Sequence, residues 1–129
     1  MKGGLTAVTP FLAVPDIPAA IDFYVRVFGA VDVRRDADPI GAVQHAVISI
    51  DGAPLELGRH AVTKSAPGEL PSVSVHLYVP DVDAVYSRAI AAGATGRPPA
   101  DMPYADREAG VFDPFGITWW VATNKSAAK

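Results

Sequence analysis

Along the chain, the spacing of hydrophobic and polar positions changes in the same order twice. The apolar run over residues 5–14 predicts a strand, with Pro10 tolerated at an edge or an irregular first position. Helical spacing follows. Ile17, Ala20, Ile21, Tyr24, Val25 and Phe28 form one apolar face, Asp16 is placed to cap it, and Pro18 lies in the first turn, where no amide hydrogen is missed. Gly29 is the expected stop, as the residue that enters the left-handed region without penalty. Residues 30–35 predict a second strand and 43–50 a third, with Ala46, Ile48 and Ile50 on one face and His45, Val47 and Ser49 on the other. Asp51-Gly52 marks a turn before a short fourth strand at 54–58.

The second half repeats the plan: Val14-Pro15-Asp16-Ile17 returns as Val79-Pro80-Asp81-Val82, 65 residues later. A strand at 73–79 leads to Asp81 and a helix carrying Val82, Val85, Tyr86, Ala89 and Ile90, closed by Gly93. A short strand at 94–97, a proline-containing loop at 98–106, and strands at 110–112 and 118–123 flanking Asp113-Pro114-Phe115-Gly116 complete it. Residues 59–71 are polar and aperiodic and read as the linker; 124–129 read as a frayed tail.

Composition narrows the classes of function. The 129 residues are half hydrophobic and suffice for one compact domain. With 11 basic against 14 acidic residues and no Lys/Arg run, nucleic acid is not an expected partner. The absence of cysteine excludes disulfides and thiolate metal sites. The opening residues lack a signal-peptide pattern, no segment reaches the length of a membrane span, and a cytoplasmic location is expected.

The two strand-to-helix entries, LAVPDIPAAIDFYVRVFGA and LYVPDVDAVYSRAIAAGA, together with DPFGITWW, resemble the vicinal oxygen chelate superfamily of glyoxalase I, bleomycin-resistance proteins and extradiol dioxygenases. FYVRVFGA and YADREAGVFDPFG are most similar to its small bacterial glyoxalase-like or bleomycin-resistance-like subgroup. The resemblance implies an α+β fold. One domain spans 1–129, with module one at about 5–58 and module two at about 72–123; these tandem βαβββ modules form a curled mixed sheet around a cavity, commonly completed by a second chain. Metal-dependent members carry a His or Gln on each first strand and a Glu on each last strand. Those positions fall here on Thr9, Ser74, Glu56 and Trp120, only one of which is a usual ligand, so neither a metal nor another cofactor is expected.

The resemblance also supplies the candidate ligand-binding residues Thr9, Phe11, His45, Glu56, Ser74, His76, Tyr104, Arg107 and Trp120. His76 shares a strand face with Ser74 and reads either as an acid/base group or as a histidine in a core network. Glu56 is a ligand remnant or base, or a strand-end carboxylate meeting water. Trp119 is expected in the core, and Trp120 either there or as a stacking platform. His60 is expected in the linker, and Tyr104, Asp106 and Arg107 in a loop at the cavity edge. Asp22 reads as part of a solvated helix face and Asp83 as a residue of a helix start.

The preferred function is metal-independent sequestration of a small, partly aromatic molecule by a homodimer with no membrane partner. A glyoxalase-like lyase or isomerase using Glu56 or His76 as base is the alternative, and a purely structural or partner-binding protein with a self-filled cavity a third.

Overall fold

The computed structural model describes residues 5–60 and 73–125. The expected linker beyond residue 60 and the tail from 126 lie outside them. The chain divides into two compact units, Met1–Thr63 and Lys64–Lys129.

In the first unit, β1 (Phe11–Val14) leads through α1 (Ile17–Phe28) to β2 (Val31–Ala37), β3 (Val43–Ile50) and β4 (Ala53–Arg59). The sheet order is β1-β4-β3-β2; β1 runs parallel to β4 and the other pairs are antiparallel. β1 is shorter than its apolar run suggests. Thr6 donates to the carbonyl of Val8 and Thr9 to that of Thr6, at 2.7 and 2.9 Å, so the threonines close a local turn ahead of Pro10 instead of extending the strand. α1 begins where Asp16 accepts from the Ala19 amide and ends at Gly29, whose φ of 69° is the left-handed conformation its position requires. Its buried face is Ile17, Ala20, Ile21, Phe23, Tyr24 and Val27; Val25, expected there, is exposed, because the stripe turns toward Phe23 and Val27. This face packs against β3, and the core is filled from the sheet by Leu12, Val14, Ala46, Ile48, Ile50, Leu55 and Leu57. β4 runs one residue past Gly58, and His60 donates its backbone N–H to Val14, so the linker starts later than expected.

In the second unit, β5 (Val75–Tyr78), α2 (Val82–Ala91), β6 (Thr95–Asp101), β7 (Asp106–Phe112) and β8 (Thr118–Asn124) follow the same plan, with order β5-β8-β7-β6. Asp81 caps α2 by accepting from Ala84, while Thr123 accepts from the Val82 amide and donates to Val79. α2 buries Val82, Val85 and Ala89 against Ala109, Val111, Trp119 and Val121; Ile90 faces outward. Of the residues expected to form a loop at 98–106, 98–101 and 106 belong to strands, and 102–105 form the connection between them. Pro98 and Pro99 belong to β6, an edge strand, where a missing ladder donor is tolerated; the register slips there, with Arg97 opposite Gly110 and Ala100 opposite Glu108.

Candidate functional site

Each sheet has a face toward its helix and an open face, and strand alternation assigns the polar residues between them. On the open face of the first sheet, Phe11 lies beside Glu56, Glu56 beside Val47, and His45 beside Gly58 and Asp36. His45 is held at both ring nitrogens: Nε2 is 3.0 Å from Glu56 Oε1 and Nδ1 is 3.1 Å from Asp36 Oδ2. The imidazole, followed by the nearby Arg34, holds the Asp36 carboxyl below the usual carboxylate range. Arg34 Nε is 3.3 Å from Asp36 Oδ2 but is not aligned for a hydrogen bond. The Phe11 ring rests on Gly58, where any Cβ would collide with it, and lies about 6 Å from the rings of both His45 and His60.

On the open face of the second sheet, His76 and Tyr78 lie beside Trp120 and Ala122, which face Gly110 and Glu108, with Thr118 opposite Phe112 and Ser74 just ahead of β5. The Trp120 indole lies against Gly110, where an added Cβ would sit 3.0 Å from the ring. Its N–H donates to Ser74 Oγ at 3.1 Å, Phe112 meets it edge-on at 6.3 Å, and the Arg97 guanidinium stands over the ring at 5.4 Å. His76 and Tyr78 have ring centroids 4.7 Å apart. His76 Nε2 is 3.6 Å from Glu108, to which the Tyr104 hydroxyl donates at 3.4 Å. Tyr78 donates to the buried Asp106 carboxylate at 2.8 Å, which raises the phenol pKa.

The structure thus gathers Phe11, His45 and Glu56 on one open face and Ser74, His76 and Trp120 on the other. Tyr104 reaches the second face through Glu108. Thr9 precedes β1 and is tied to Thr6. Arg107 belongs to β7, not to a loop, and alternation turns it to the helix side, where it forms a fork with Asp83 at 2.8 and 2.9 Å and reaches Asp101 at 3.3 Å. Asp83, read as part of a helix start, is the partner that draws it there. Sequence reasoning missed Asp36, Arg97 and Glu108. Alternation back from Gly110 would have found Glu108 had β7 been read at its full length; Arg97 and Asp36 come into place only through cross-strand register.

The four positions that hold a metal in metal-dependent relatives do not fit an ion here. The Thr9 hydroxyl serves Thr6, Glu56 holds His45, Ser74 accepts from Trp120, and an indole N–H has no lone pair to give. Among the described residues, no three His, Asp or Glu side chains form a group suited to a metal ion.

A family model, Glyoxalase/Bleomycin resistance protein/Dioxygenase superfamily, matches residues 5–121. The chain belongs to this superfamily. An uncharacterized protein of Mycobacterium bovis is 40% identical over 122 residues, covering 88% of this chain and 80% of that protein. The crystal structure of TioX from Micromonospora sp. ML1 is 31% identical with a TM-score of 0.73, covering 92% of this chain and 98% of that one. FosX from Listeria monocytogenes, a genomically encoded fosfomycin resistance protein, shares the fold at 13% identity, with a TM-score of 0.72 and 92% of each chain covered. Membership of this superfamily fits a role in small-molecule binding or resistance. No helix among the described residues is long and apolar enough to cross a membrane.

Proposed function

We propose that this protein binds and sequesters a small, partly aromatic organic molecule without a metal, as a homodimer in the cytoplasm. The observation that carries the reading is the aromatic open face of the second sheet. Trp120 is held flat by Gly110 and pinned through its N–H by Ser74, so its orientation is set before a ligand arrives. His76, Tyr78 and Phe112 add three exposed rings around it. Such a surface suits a planar molecule, since each stacked pair adds about 0.5–1.5 kcal/mol beyond area burial. The FosX likeness supports antibiotic-like compounds as the first class to test.

Calorimetric titration with a panel of aromatic antibiotics is the test. Trp120→Ala is expected to weaken binding roughly tenfold or more with a modest change in melting temperature. Trp119→Phe is expected to lower the melting temperature and leave affinity unchanged in the folded fraction. A Trp120→Ala protein that binds as well as its parent sinks the reading.

A second reading, a glyoxalase-like lyase or isomerase, is favoured by the Asp36–His45–Glu56 chain, in which an imidazole and a carboxylate are aligned for proton transfer. The same ligands, recovered after incubation, discriminate the two. Binding returns them unchanged, whereas consumption by the parent but not by Glu56→Gln favours the enzyme.

A further inference from the structure

We propose that Arg97 is an anion-recognition residue, which makes the ligand of the second unit's open face a planar aromatic acid; this rests on the binding reading above. Among the described residues, Arg107, shared by Asp83 and Asp101, and Lys125, paired with Asp101, reach their carboxylates on the helix side or at the sheet's end, while on the open face His76 lies 3.6 Å from Glu108. Arg97 is different. It is exposed, projects from the open face, and among the described residues no carboxylate pairs with it.

Its position is built by its neighbours. Pro98 follows it and restricts its backbone to extended conformations, and the bulge at Pro98-Pro99 fixes its register opposite Gly110. Gly96, just before it, cannot carry a side chain, because a Cβ would collide with the Gly110 carbonyl oxygen; β6 and β7 are therefore held in close approach where Arg97 emerges. At 5.4 Å from the Trp120 centroid the guanidinium is within cation–π range of the indole; that contact uses its charge and not its N–H groups, which stay available to an anion on a molecule whose flat part lies against the exposed rings of this face. Arginine is charged at every relevant pH, and its planar fork matches a carboxylate.

The opposite end of the face has the other sign. Glu108 lies two residues along β7 from Gly110, a step of roughly 7 Å, with Asp106 beyond it. An anion is therefore favoured at Arg97 and disfavoured at Glu108, which orients the acid and reserves the Glu108 and His76 end for a hydrogen-bond donor.

The test is calorimetric titration of the full chain with 2-naphthoate and with the isosteric 2-naphthamide at low and physiological salt. The acid is expected to bind at least tenfold more tightly than the amide. Arg97→Gln should erase that preference by bringing the affinity for the acid down to that for the amide, and Arg97→Lys should restore part of it. Equal affinity of the parent for both probes, or a preference that survives in Arg97→Gln, overturns the anion assignment alone. Failure of both probes to bind overturns it together with the binding reading.

Discussion

Asp113 holds three donors at once. Its Oδ1 accepts from the amides of Phe115 and Ile117, at 2.9 and 3.0 Å, and its Oδ2 from the Trp119 indole at 2.9 Å. One buried carboxylate thus closes the turn between β7 and β8 and orients the largest fully buried side chain of the core. The adjacent residue, Trp120, shares none of this, because the pleat sends it to the opposite face. This explains why two identical neighbours are assigned different roles. Removing a charged acceptor of this kind costs about 1.5–3 kcal/mol per hydrogen bond, with part of the loss recovered by relaxation. Asp113→Ala is therefore expected to destabilise the protein by roughly 3 kcal/mol, read as a lower midpoint in urea with an unchanged slope. A change within about 0.5 kcal/mol would mean that the turn holds its shape without the carboxylate.

The helix boundaries and the core position of Trp119 were legible in the sequence, because both depend on local signals: a cap, a glycine and a period of two. Edge strands were less so. Pro98-Pro99 reads as a loop by composition, and only pairing with β7 shows it to be a bulge in β6. The misreading hid Glu108 and left Arg107 in a loop at the cavity edge. In the structure, Arg107 ties β7 to α2 through Asp83 and to β6 through Asp101. The hydrogen bonds from Arg107 to Asp83, and from Lys125 and Arg107 to Asp101, hold both carboxyls below their ordinary value of 3.8. A carboxyl whose folded pKa is depressed contributes stability fully above its unfolded pKa and loses it as pH falls through the folded value. The contribution of this cluster is thus present above about pH 4 and fades on further acidification. Asp83→Asn should be slightly less stable than the parent at neutral pH and converge with it near pH 2, followed by thermal melts across pH. A gap of constant size over that range would show that the loss is not one of charge.

For the molecule as a whole, the apolar residues left exposed bear on its assembly. In the first unit, Phe11 is 51% exposed on the open face, and Val31 and Val33 are 59% and 48% exposed on β2, an edge strand. In the second unit, Tyr78 is 54% exposed and Phe112 37%. Single exposed apolar residues are ordinary, but aromatic side chains on sheet faces together with valines on a sheet edge are what a second copy of a chain can cover. The second sheet blunts its own edge at β6 with two prolines and a bulge, whereas β2 pairs its exposed valines with a charged sequence, Asp32 to Asp36, that suits a specific neighbour and resists random pairing. On this basis a homodimer is expected, with twice the 13.5 kDa chain mass in light scattering at micromolar concentration. Charge substitutions at the edge, Val31→Lys with Val33→Glu, should shift the mass toward the monomer if β2 is part of the interface. Parent protein that scatters as a stable monomer at that concentration would overturn the dimer itself, while a dimeric double variant would move the interface away from β2.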